Sequence, residues 1–152
     1  MNVRDLSTNV LTRDEGFRKS AYTDHLGYWT IGIGRLIDAR KGGGISRDEA
    51  EYLLANDIAR VCDQLDGHLP WWKAMTTPRR VVLISMVFQL GLHGVLNFRN
   101  TLKAMKEGRY EDAAMGMLAS RWASQTPLRV ARLAAVMSTG EADDFQLDED
   151  PS

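Results

Sequence analysis

Residues 15–36 read EGFRKSAYTDHLGYWTIGIGRL, and the fold turns on how they punctuate the chain. Glu15 is followed by Gly16, a residue type that ends helices by adopting a positive φ. From Ala21 onward Tyr22, Thr23, Tyr28, Trp29, Thr30, Ile31 and Ile33 are β-formers, interrupted by Gly27, Gly32 and Gly34. The stretch predicts a helix stopping at Glu15, then a hairpin from Ala21 to about Leu36 across which Asp24 and Thr30 face each other. Two carboxyls, Glu15 and Asp24, and the Thr30 hydroxyl are the groups here that suggest hydrolysis.

Upstream, Val3, Leu6, Val10 and Leu11 recur at helical spacing, so Val3 to about Asp14 is expected as an amphipathic helix. Downstream, three consecutive glycines make Lys41 to Gly44 a loop, because each would lose too much entropy inside a regular element. Ser46 and Glu49 form a capping box, and Ala50, Leu53, Leu54, Ile58, Val61 and Leu65 continue it at helical period to about Asp66. The other face of that helix is polar, which suits a connector between two lobes. Pro70, Trp71 and Trp72 mark a turn and a short helical piece, with the tryptophans as core anchors. Thr77 and Pro78 cap a helix that is apolar nearly all round to Leu90 and is closed by Gly91. Further helices are expected from near Asn100, from Tyr110 to about Ala123, and from Thr126-Pro127 to Gly140.

The predicted fold class is α+β, mostly α, in a single domain. Its parts are a small β-hairpin lobe at about 16–45, a connector helix at about 46–66, a larger helical lobe at about 1–15 and 67–140, and an acidic tail at 141–152. With 152 residues, 44% apolar and 26% charged, the composition is that of an ordinary soluble globular chain. Cys62 is the single cysteine, which excludes an intrachain disulfide. The amino terminus carries charges every few residues and lacks the apolar run of a signal peptide, so unaided export is not expected. No apolar run reaches the roughly 20 residues that span a bilayer, so no membrane anchor is expected either.

Charge is unevenly spread. Six acids and no base lie in residues 141–152, and removing them from the net −1 leaves +5 on residues 1–140. A basic body could steer an anionic polymer such as a cell wall or nucleic acid; a solvated surface with a frayed tail accounts for the same pattern.

Glycoside hydrolysis needs one acid to protonate the leaving oxygen and a carboxylate to activate water or attack the anomeric carbon. Glu15 and Asp24 qualify, but in a chain with 20 acids a pair nine positions apart fits two surface carboxylates equally well. Thr30 by itself reads as a strand residue chosen for propensity. His25, His68 and His93 lack metal-ligand spacing, TIGIGR lacks the continuation of a dinucleotide fingerprint, and no G-x-S-x-G elbow is present. LRVARLAAVM suits a DNA-reading helix and a core-packed helix with a polar edge about equally.

Five blocks add what spacing does not. DEGFR, YTDHLGYWTIGIGRL, ISRDEAEYLLANDI, RRVVLISMVFQLG and SRWASQTPLRVAR, in that order, resemble the phage lysozymes of the T-even type, glycoside hydrolase family 24, over nearly the whole chain to about Gly140. The resemblance implies a lysozyme-like fold and an inverting muramidase. Its substrate would be the β-1,4 bond between N-acetylmuramic acid and N-acetylglucosamine in bacterial peptidoglycan. It places Glu15 as general acid, Asp24 and Thr30 as holders of the attacking water, and Arg129 as the arginine that pairs with the acid. Gly34, Leu36, Phe88 and Thr101 fall on or beside cleft-lining positions. Gly116 stands where an amide side chain is familiar, and Arg35 where a histidine is, opposite Asp57, which predicts an Arg35–Asp57 pair. No metal or organic cofactor, nucleic-acid partner or stable membrane association is implied, and a monomer is expected. The implied setting is a host cytoplasm, with action on the wall and host lysis once the inner membrane is opened. A lytic transglycosylase, which can work with the glutamate alone, and a catalytically idle wall-binding module on a phage tail are the rival readings.

Overall fold

The computed structural model describes residues 2–37 and 42–147, so Lys41 of the predicted loop and Asp148, Glu149 and Asp150 of the acidic tail lie outside the described residues. The chain forms two units, Met1–Leu53 and Leu54–Ser152. It is α+β and mostly helical, with one three-stranded antiparallel sheet among the described residues.

In the first unit, helix α1 runs Val3–Glu15. It starts where the Asn2 side chain accepts the Asp5 N–H at 2.9 Å, satisfying one of the helix's free donors. It stops where Gly16, at φ 71°, turns the chain away while its N–H still bonds Thr12 O at 3.0 Å. Strands β1 (Arg18–Thr23), β2 (Trp29–Gly32) and β3 (Arg35–Leu36) follow in spatial order β1-β2-β3. The sheet thus begins three residues before the expected Ala21 and has a third strand. Its register also differs from expectation, since Thr30 pairs with Tyr22 and Trp29 with Thr23. The cause is the turn, in which Asp24 N–H bonds Tyr28 O at 2.8 Å and so sets Asp24 opposite Tyr28. Asp24 and Thr30 become diagonal neighbours on one face.

Helix α2 (Arg47–His68) starts in this unit with the predicted capping box fully formed. Glu49 N–H bonds Ser46 Oγ and Ser46 N–H bonds Glu49 Oε1, both at 3.2 Å.

The second unit holds the core. After α2 comes a 3-10 turn at Pro70–Ala74, then α3 (Thr77–Leu96), α4 (Arg99–Lys106), α5 (Tyr110–Leu118), α6 (Arg121–Gln125), α7 (Pro127–Thr139) and a 3-10 turn at Ala142–Phe145. Leu65, Val82, Leu83, Met86, Met105, Met117, Val130 and Met137 are fully enclosed. Trp72 is buried as an anchor with its indole N–H on Asp66 Oδ1 at 2.8 Å. Helix α3 is long and apolar enough to cross a bilayer by composition. Gly91 interrupts it at φ 75°, ψ 161°, where the sequence predicts its close, and Val82, Leu83, Met86, Val87 and Val95 enter the protein core. Its cap position is Thr76, one residue before the expected Thr77.

The predicted helix from Tyr110 to Ala123 is two helices. Ser120 divides them by accepting the Ala123 N–H at 3.2 Å, a side-chain cap that starts α6 anew. Thr126 does not cap α7 through its side chain, because its hydroxyl is turned to Trp122 O at 3.4 Å. Within the acidic tail the 3-10 turn at Ala142–Phe145 places Phe145 against the core.

Arg79 joins the start of α3 to the end of α7. Its Nε donates to Met137 O at 2.8 Å and its Nη2 to Ser138 O at 3.0 Å, closing carbonyls at the end of α7 that have no partner within the helix. The same guanidinium lies 3.6 Å from the centroid of the Tyr110 ring. A lysine cannot make the fork and the stack together. Arg79→Lys is therefore expected to lose about 1–3 kcal/mol of stability, seen as a melting-temperature drop of roughly 2–4 °C per kcal/mol. An unchanged melting temperature would remove the clamp from the account.

Candidate active site

Glu15, Asp24, Thr30, Gly34 and Leu36 all belong to the first unit. Glu15 is the last residue of α1 and is exposed. Its carboxyl lies over the turn between β2 and β3, so close to Gly34 that a Cβ there would stand 2.6 Å from Oε2 and 2.7 Å from Cδ.

Asp24 follows β1 and builds its own turn. Its Oδ1 accepts the backbone N–H of Leu26 and of Tyr28, each at 2.9 Å, while Gly27 N–H bonds its carbonyl at 3.0 Å. This is the side-chain-closed turn that Asp favours. The Tyr28 N–H is the main cause holding the Asp24 carboxyl below its ordinary range. The Leu26 and Gly27 N–H groups and the charge of His25 act the same way, and partial desolvation opposes them. Asp24 is thereby kept ionised, as a group that accepts a proton from water must be. Both of these bonds use Oδ1; Oδ2 takes part in neither.

Thr30 is buried in β2 at 5% exposure, where its Oγ1 donates to Tyr28 O at 3.2 Å. With that proton committed, the hydroxyl's lone pairs remain to accept from a water. Leu36 is the strand partner of Thr30 across β2 and β3. Asp24 and Thr30 are thus both tied to Tyr28, one through its N–H and one through its carbonyl, so a single turn sets where both oxygens point. Sequence spacing named neither Tyr28 nor Leu26 for this task; an Asp followed by a glycine three residues later is the signal that was there to find.

The remaining residues lie in the second unit. Phe88 is half exposed and, with Leu54, Ile58, Val81, Arg129 and Arg132, lines a groove of about 500 Å³. Thr101 is buried at 6% exposure, beside a pocket of about 280 Å³ lined also by Asn100, Lys103, Arg109 and Asp112. Its hydroxyl occupies the space where a side chain on Gly116 would begin, 2.3 Å from an ideal Cβ there. A side chain at 116 would therefore have to displace the Thr101 hydroxyl.

Arg35 and Asp57, singled out as a pair, each have a partner inside their own unit. Arg35 bonds the Glu49 carboxylate and Asp57 pairs with Arg60 at 3.2 Å. Glu49 thus serves both the α2 cap and Arg35, one oxygen to each. Among the described residues no group of three His, Cys, Asp or Glu is placed to hold a metal ion.

The family model described as phage lysozyme matches residues 12–135, a span that contains Glu15, Asp24, Thr30 and Arg129. The chain is 32% identical, over an alignment 161 positions long, to the pre-baseplate central spike protein Gp5 of Enterobacteria phage T4, covering 90% of this chain and 28% of that protein. It is 30% identical to probable T4-type lysozyme 1 of Dictyostelium discoideum, covering 87% of this chain and 93% of that one. An endolysin of Acyrthosiphon pisum secondary endosymbiont phage 1 is 28% identical over 114 residues, covering 75% and 76% respectively.

Proposed function

The chain belongs to the phage lysozyme family, and on that premise we propose that it is a muramidase, hydrolysing the β-1,4 bond between N-acetylmuramic acid and N-acetylglucosamine in bacterial peptidoglycan with inversion. Glu15 gives its proton to the glycosidic oxygen as the C–O bond breaks, freeing the 4-hydroxyl of the N-acetylglucosamine. A water held by Asp24 Oδ2 and Thr30 Oγ1 adds to the anomeric carbon from the opposite face and passes its proton to Asp24. Such an arrangement calls for carboxyl groups roughly 6.5–9.5 Å apart, with room for the water between them. Leu36, Phe88 and Thr101 are assigned to saccharide binding, and Arg129 to support of the acid.

The observation that carries this reading is the Asp24 turn. It supplies an ionised carboxylate and a neighbouring hydroxyl, both oriented through Tyr28, inside the span matched by the family. The proposed setting is synthesis in the host cytoplasm and lysis of the cell after the inner membrane is opened. The spike relative, of which this chain spans 28%, supports a second reading in which the module acts from within a virion protein.

Digestion of purified wall, with the new end identified by NMR, is expected to give reducing N-acetylmuramic acid whose first-formed anomer is α. A β anomer or an anhydro-sugar would overturn the inverting hydrolysis, and no new reducing end would point to the idle binding module.

A further inference from the structure

We propose that Gly34 is the positioning residue of the general acid: the space left by its missing side chain is the seat of the Glu15 carboxyl. This rests on Glu15 being the acid of the proposed reaction, and it gives Gly34 a role other than direct contact with the sugar. Three atoms of Glu15 crowd that space. An ideal Cβ on Gly34 would lie 2.6 Å from Oε2, 2.7 Å from Cδ and 2.8 Å from Cγ, all far inside van der Waals contact. No real Cβ sits that close, so any residue but glycine must displace the carboxyl. The side chain of Glu15 is exposed at the end of α1 and can swing away. The cost of a Cβ at this point is therefore a misplaced acid more than a broken fold.

The sheet supplies its own control. Gly34 has φ +64° and Gly32, two residues earlier, has φ +68°, so an alanine is strained by positive φ at either position. At Gly32, however, nothing lies within 4 Å of the added Cβ. Both substitutions carry a positive-φ penalty, and only Gly34→Ala adds the collision with Glu15.

The experiment compares Gly34→Ala with Gly32→Ala, reading kcat and KM on purified wall fragments and the carbon-13 signal of the Glu15 carboxyl. Gly34→Ala is expected to lower kcat on the order of 100-fold, as an ångström of misplacement does, with KM within about twofold of the wild-type value. It should also shift the Glu15 signal, whereas Gly32→Ala leaves that signal in place and melts at about the same temperature as Gly34→Ala. Gly34→Asn, which tolerates positive φ while still adding a Cβ, repeats the test if the alanine variant does not fold. Equal kcat in the two alanine variants, a loss confined to KM, or an unmoved Glu15 signal would each overturn the proposal. The carboxyl signal is independent of substrate. If it moves while the wild-type protein cleaves no wall, the seat stands and the muramidase reading falls.

Discussion

Glu15→Gln should lose nearly all wall cleavage, on the order of 10²–10⁴-fold in kcat, the usual contribution of a positioned proton donor. Glutamine keeps the shape and the contact with the Gly34 turn but has no proton to give at neutral pH. The fold should survive, because α1 is closed by the Gly16 N–H on Thr12 O and not by the Glu15 side chain. An unchanged melting temperature together with lost turnover is the expected pair of results. Turnover within tenfold of the wild type would move the acid to another residue.

Asp24→Asn comes next in size. The asparagine carbonyl can still accept from Leu26 and Tyr28, so the turn should persist, but the group can no longer take a proton from water. A fall of roughly 10²-fold or more in kcat is expected, within the range for general-base catalysis. The same variant has a signature in stability. The folded-state pKa of Asp24 lies below its ordinary value of 3.8, so its contribution is complete above that value and is lost as pH falls through the lower folded one. Acid unfolding of the wild type should carry this component below about pH 3.8, and Asp24→Asn should lack it. Melting curves from pH 2 to 6 that run parallel for the two proteins would show that the turn does not depend on the charge.

The helices were legible wherever a local device marks their ends. Ser46 and Glu49 formed the reciprocal cap that their spacing predicts, and Gly16, Gly91 and Gly140 stop or break helices at positive φ. Devices that act from inside an apparently continuous pattern were not legible. Ser120 looks like an ordinary polar position between Tyr110 and Ala123 until its hydroxyl is seen to cap α6. The sheet register escaped for a similar reason, since the Asp24 side chain shapes its own turn and moves Thr30 opposite Tyr22.

At the site, spacing offered Glu15, Asp24 and Thr30 no preference over other surface groups, and it was the five-block resemblance that singled them out. Periodicity carries no information about which turn a helix end will meet, so the contact of Glu15 with Gly34, 19 residues apart, could not be read from it. Arg35 shows the converse limit. A carboxylate already fixed by the α2 cap, Glu49, has one oxygen to spare, and a long arginine takes the partner held nearby.

Thr101 and Gly116 carry a consequence for how this chain can change over generations. With the Thr101 hydroxyl standing where a Cβ on residue 116 would go, an amide cannot be gained at 116 by one substitution without forcing a buried side chain out of its rotamer. Shrinking residue 101 first would open a void beside α5 before anything filled it. A side chain at 116 therefore calls for a compensating change at 101, and either change made alone carries a packing cost.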